Sequence, residues 1–156
     1  MRIDFSLYYQ PKPKQLIAHK CRAKYMLFGG ALGGGKSYFL CAEAIKNAMK
    51  FKGNRLVLVR KELSVLRRTT LVTFFSICPK EIIKSFNQTS LEVTFINDSK
   101  LLFLDANIAK DPMLQKIKGL EIGWFGIDEA NEVSVEVYNM LKTRLRWVLP
   151  NKQKPR

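Results

Sequence analysis

Two short stretches carry residue types that can do chemistry together. The first, Gly30-Ala31-Leu32-Gly33-Gly34-Gly35-Lys36-Ser37, fits G-x-x-x-x-G-K-[ST], the pattern of a loop that wraps nucleotide phosphates. Its glycines tolerate positive φ, so successive backbone N–H groups can turn inward to form an anion nest. Lys36 brings a positive charge to the β- and γ-phosphate oxygens, and the Ser37 hydroxyl is a ligand type for Mg²⁺. The second stretch, Asp128-Glu129, follows the apolar run Gly123 to Ile127. Asp128 there suits Mg²⁺, directly or through water, opposite Ser37, and Glu129 suits a general base that orients and polarises an attacking water. Two adjacent carboxylates at a strand end point in different directions, so the roles need not compete. The implied site takes ATP and Mg²⁺, with Gly30, Ala31, Leu32, Gly33, Gly34, Gly35, Lys36 and Ser37 around the phosphates. Ser37 and Asp128 hold the metal, and Lys36 and Glu129 are the catalytic pair.

The elements that must position these residues follow from periodicity. Residues 25–28 (Tyr-Met-Leu-Phe) read as a short buried strand entering the loop. Residues 36–50 read as a helix leaving it, with Phe39, Leu40, Ala44, Ile45 and Ala48 at helical spacing. A helix that starts at the loop aims its positive dipole end at the phosphates. Residues 55–60 form a continuous apolar run with charged ends, as in a parallel sheet covered on both faces. Residues 62–77 predict a helix carrying Arg67 and Arg68 and stopped by Pro79. Residues 91–96 and 100–105 predict a hairpin around Asn97-Asp98-Ser99. Residues 106–119 predict a loop with at most one helical turn, and residues 134–146 a further helix. This order implies right-handed crossovers and an α/β fold, a mainly parallel sheet flanked by helices with an added β-hairpin. Upstream, Pro11 and Pro13 predict an extended entry. Gln15 is a candidate to hydrogen-bond an adenine ring through its amide, with Tyr9 or Pro11 packing on the base, and on its own residues it reads equally as a surface amide on a short helix. His19, the sole histidine, excludes a histidine-based metal site or triad and reads as a surface or capping residue.

Bulk composition narrows the class. With 156 residues and a hydrophobic fraction of 47%, the chain suits one folded domain. No apolar run is long enough to cross a bilayer, and no secretory signal is expected at the N-terminus. Cys21, Cys41 and Cys78 lack metal-ligand spacing and are odd in number, which predicts free thiols in a reducing cytosol. Twenty-seven Lys and Arg against thirteen acids give a net charge of +14, which favours a polyanionic partner and salt-sensitive binding. From Met1 to Lys61 only Asp4 and Glu43 are acidic, so the excess is uneven along the chain.

In the order and setting of these motifs the chain resembles the N-terminal ATPase domain of the large terminase subunit, the DNA-packaging motor of tailed bacteriophages. Pro13-Lys14-Gln15 resembles the family's adenine-recognition motif, and Phe28 to Ser37 its Walker A variant. Leu58-Val59-Arg60-Lys61 resembles the strand that follows, and Phe95 to Ser99 the hairpin turn. Ile117-Lys118-Gly119-Leu120 leads into Asp128-Glu129-Ala130 as the Walker B region does, and Leu141 to Leu145 resembles the helix after it. The similarity runs from about Gln10 to about Arg146. It implies a P-loop NTPase of the ASCE type in which Mg²⁺-dependent ATP hydrolysis drives double-stranded DNA into a procapsid. The implied partners are the portal protein, the terminase small subunit and further copies in a ring, in the host cytoplasm and away from membranes. Many terminases carry an arginine where this chain has Leu32, and some use one as a finger where it has Lys118, whose lysine lacks the bidentate fork. Arg60, Arg144 and Arg146 are alternatives for that finger. The whole of 1–156 reads as one ATPase domain with an incomplete C-terminal part. The family's coupling motif and nuclease domain lack a counterpart, so weak turnover is expected. The competing readings are a helicase-like ATPase and a nucleic-acid-binding module with a vestigial nucleotide site. A small-molecule kinase fits least, since its nucleophile is not water.

Overall fold

A computed structural model describes residues 4–30 and 33–154. Ala31 and Leu32, within the phosphate loop, lie outside the described residues. Helix α1 (Pro13–His19) follows an extended entry, and α2 (Lys36–Lys50) follows the glycine loop. Strand β1 (Arg55–Arg60) leads to α3 (Leu63–Arg68) and α4 (Thr70–Ile77). Strands β2 (Ile83–Asn87), β3 (Glu92–Phe95) and β4 (Lys100–Asp105) come next. The single turn α5 (Gln115–Lys118), strand β5 (Trp124–Ile127) and helix α6 (Val135–Arg144) complete the order.

The five strands form one mixed sheet in the order β2-β3-β4-β1-β5. β1 runs parallel to both β4 and β5, with Val57 opposite Leu102 on one side and Phe125 on the other. β3 is antiparallel to β4 and to β2. The alternation of β1 explains its unbroken apolar run. Leu56 and Leu58 face one layer, packed with Cys41, Ala44, Ile45, Phe74 and Phe103. Val57 and Val59 face the other, packed with Ile117, Val137 and Leu141. A central strand covered on both faces needs apolar residues at every position. The result is an α/β architecture of the expected class, with the phosphate loop and the β5 terminus at the carboxyl ends of the parallel strands.

Local differences from the sequence reading have physical causes. Residues 25–28 do not form a strand: they make no ladder, and Leu27 is 86% exposed. The segment is instead held at its ends by ring contacts, Phe28 on Phe39 at 4.5 Å and Tyr25 on Tyr138 at 6.1 Å between centroids. Four apolar residues without a hydrogen-bonding edge beside them have no reason to adopt a ladder. The helix expected over 62–77 breaks at Thr69 (φ −122°, ψ −75°), whose hydroxyl bonds back to the Val65 carbonyl at 2.7 Å. β2 is not anticipated from the sequence and extends the hairpin into a three-stranded antiparallel unit. The hairpin turn also closes α2: the Ser99 hydroxyl, with one proton to give, lies within hydrogen-bond distance of the carbonyls of Ala48 (2.9 Å) and Phe51 (2.8 Å), and Asn97 Nδ2 donates to Ala48 at 2.8 Å. These bonds satisfy carbonyls that a helix end leaves without a partner. Cys21, Cys41 and Cys78 are free thiols, the last two buried. No helix among the described residues is long and apolar enough to cross a membrane.

Candidate functional site

Four elements converge on the carboxylate of Asp128, which is 3% exposed. β5 delivers it, and its backbone N–H donates to the Val59 carbonyl of β1 at 2.8 Å, which fixes where the strand ends. Ser37, in the first turn of α2, donates through Oγ to Asp128 Oδ1 at 2.9 Å. Thr70, at the start of α4, donates through Oγ1 to Oδ2 at 2.6 Å. Arg60, at the end of β1, reaches the same Oδ2 through Nη1 at 3.2 Å and also donates to Thr69 Oγ1 at 2.9 Å. A carboxylate this buried requires a compensating charge and filled lone pairs, and Arg60, Thr70 and Ser37 supply them. Buried Arg60 Nε has no partner among the described residues. Sequence reasoning missed Thr70 and Thr69; a Thr-Thr pair in a helix carries no signal of a contact more than fifty residues away.

Glu129, the next residue, holds left-handed backbone (φ 51°, ψ 62°), uncommon for a residue with a side chain. Such positions concentrate where function over-determines the backbone. Its carboxylate makes no hydrogen bond or ion pair among the described residues, and it lines an open cleft of about 530 Å³ with Gln15, Gly33, Lys36, Ser37 and Thr73. On the loop side, Gly33 and Gly35 both sit at φ +75°. Lys36 Nζ donates to the Gly30 carbonyl at 3.3 Å and Lys12 Nζ to the Gly33 carbonyl at 3.4 Å. Gln15 is buried beneath the loop, its amide bonded to the main chain at Lys12 and at Gly35.

The entry segment is tied to α2 by a polar chain. The Tyr9 hydroxyl contacts His19 Nε2 at 3.0 Å, His19 Nδ1 pairs with Glu43, and Lys46 pairs with Glu43 at 2.9 Å. His19 is therefore half-buried and structural, where its isolation in the sequence predicts a surface or capping role. Burial, aided by the Glu43 charge, pushes the Tyr9 phenol up to about 12.

The basic residues weighed as fingers separate in space. Arg60 is 11% exposed and paired with Asp128 within its own chain. Arg144 donates to the Lys118 carbonyl at 2.7 Å, and its own carbonyl accepts from Ile122 at the amino end of β5. Arg146 pairs with Glu121 at 3.3 Å and is half-exposed. Lys118, Arg144 and Arg146 thus lie toward the opposite end of the sheet from Asp128.

Whether the residues fit Mg²⁺ and ATP can be judged from donor chemistry. Among the described residues no group of three or more His, Cys, Asp and Glu side chains could hold a metal alone. Ser37 and Asp128 form a partial set, one hydroxyl and one carboxylate. That suits Mg²⁺, which takes one or two protein oxygens and completes its shell with water and substrate phosphates. Among the described residues, chain neighbours aside, no atom lies within 4 Å of where a Cβ would stand at Gly30 or Gly33, so the backbone there is open to a ligand. The site fits the group.

Comparison with known proteins bears on the fold and the family. The large terminase of a thermophilic bacteriophage superposes in one crystal form with a TM-score of 0.64 at 14% identity, covering 85% of this chain and 34% of that one. In another crystal form of the same protein the TM-score is 0.60 at 15% identity, covering 74% and 29%. The chain thus spans about a third of the length of that protein, and at such identity the likeness shows the fold. No curated protein matches the chain. A family model described as phage terminase large subunit matches residues 22–156, and with the Walker-type loop and the Asp128 cluster meeting at the sheet's carboxyl edge, the chain belongs to the phage terminase large subunit family.

Proposed function

We propose that this chain is the ATP-hydrolysing unit of a phage DNA-packaging motor, with 1–156 acting as its ATPase domain. The observation that carries the reading is the Ser37–Asp128 hydrogen bond at a cleft lined by Glu129, whose carboxylate has no partner among the described residues. In this reading the amides of 30–37 and Lys36 bind the triphosphate, and Ser37 and Asp128 hold Mg²⁺. The ion, when bound, neutralises charge on the phosphate oxygens. Glu129 accepts the proton of the attacking water and orients it in line with the leaving oxygen. Arg60 acts in cis by holding Asp128. Lys118, Arg144 or Arg146 then remains to act on an adjacent copy in a ring. Double-stranded DNA is the proposed track, supported by the charge of +14, and the portal protein and terminase small subunit are proposed partners in the host cytoplasm.

Glu129→Gln tests the reading, because it keeps the shape and removes the base. Hydrolysis is expected to fall by about 10²–10⁴-fold, the usual contribution of a positioned general base, while ATP binding is unchanged. Single-turnover hydrolysis and equilibrium binding on the same preparation measure both. Undiminished hydrolysis would remove Glu129 from the mechanism, and an absence of ATP binding in the parent chain would favour a vestigial site.

A further inference from the structure

We propose that Gln15 is a positioning residue that braces the phosphate loop, in place of the base-reading role its spacing suggests. The proposal rests on the nucleotide reading of the cleft. To read adenine, a glutamine amide must accept from N6 through its oxygen and donate to N7 through its nitrogen. One lone pair of Oε1 and one proton of Nε2 are spent on the main chain here, and burial closes off the rest of the amide. Oε1 accepts from the Lys12 backbone N–H at 2.7 Å, and Nε2 donates to the Gly35 carbonyl at 2.8 Å, with the side chain 2% exposed. The Gly35 carbonyl also accepts from Phe39 N–H at 2.9 Å, the first bond of α2, so helix and amide fill its two lone pairs.

The fit around this bond is close. A Cβ at Gly35 would stand 2.7 Å from Gln15 Nε2, so amide and loop leave no space between them. The Oε1 bond serves α1 as well, since it satisfies the amide that opens that helix. Lys12 adds a second tie through its contact with Gly33, and the His19–Glu43 pair fastens the far end of α1 to α2. The first turn of α1 therefore sets the position of Gly33 to Ser37. What it positions is common to every nucleoside triphosphate, so Gln15 strengthens phosphate binding whatever the base.

The test uses the full chain carrying Gln15→Ala or Gln15→Met, the methionine keeping length and volume if alanine fails to fold. Binding of ATP, GTP and inorganic triphosphate, each with Mg²⁺, is measured by calorimetry. The three affinities are expected to fall together by about tenfold, the effect of removing one partner of a buried hydrogen bond. Amide exchange over residues 33–38 without ligand is expected to accelerate. A loss confined to ATP, or unchanged exchange at 33–38, would overturn the brace. If the parent chain bound none of the three, the nucleotide reading would fail, and the exchange measurement would still decide the role of Gln15.

Discussion

The carboxylate of Asp128 is held in one orientation, which suits the metal-ligand role proposed for it. Its Oδ2 is saturated by Thr70 and Arg60, so only Oδ1 remains directed at Ser37. Arg60 supplies the positive charge that a buried carboxylate requires. Removing it leaves that carboxylate uncompensated, and Arg60→Met is expected to lower the unfolding free energy by about 3–5 kcal/mol. Mg²⁺ with nucleotide supplies the missing charge to the folded state alone, so its addition should restore part of that loss by mass action. Urea denaturation of the variant with and without Mg·ATP measures both. Equal destabilisation in the two conditions would show that the ion and Arg60 do not share the carboxylate.

At the scale of elements, the site depends on how closely α2 lies against β5. Gly126 sits one strand step before Ile127, and a Cβ there would stand 2.7 Å from Leu40 Cδ1 and from Trp124 Cη2, and 2.9 Å from Leu58 Cδ2. That contact lets the helix carrying Ser37 approach the strand carrying Asp128. Gly126→Ala overpacks the contact and should destabilise the fold by about 1–3 kcal/mol. It should also weaken Mg·ATP binding, because the helix must retreat from Asp128. A thermal melt paired with a binding isotherm reads the two effects; a variant that binds normally would mean that the strain is relieved elsewhere. The break between α3 and α4 matters for the same reason. It starts a new helix at Thr70, and that start brings the hydroxyl onto Asp128.

Across the whole molecule, the net charge of +14 is the property most suited to a duplex. If about six to ten phosphates are neutralised, affinity for double-stranded DNA should fall by about 10³–10⁵-fold between about 50 and 200 mM salt. Fluorescence anisotropy over a salt series gives the slope, and a flat response would separate the charge from DNA binding. The phosphate loop lies in the basic, acid-poor first part of the sequence, where an anionic ligand is favoured.

The loop pattern, α2, β1, the hairpin about 97–99 and the β5–Asp128–Glu129 succession were legible because each is local. Period and turn chemistry within a dozen residues suffice to specify them. The family followed from their order. What the tertiary structure alone decided are the partners of those residues. Thr70 and Arg60 meet Asp128 from 58 and 68 positions away, and no local pattern encodes that meeting. Gln15 was legible as a candidate, but its bond to Gly35 depends on how α1 docks. The run at 25–28 has the composition of a strand and lacks the ladder, since a strand exists only when a second strand offers it hydrogen bonds. Short-range sequence sets what each segment can become, and long-range pairing sets what it is.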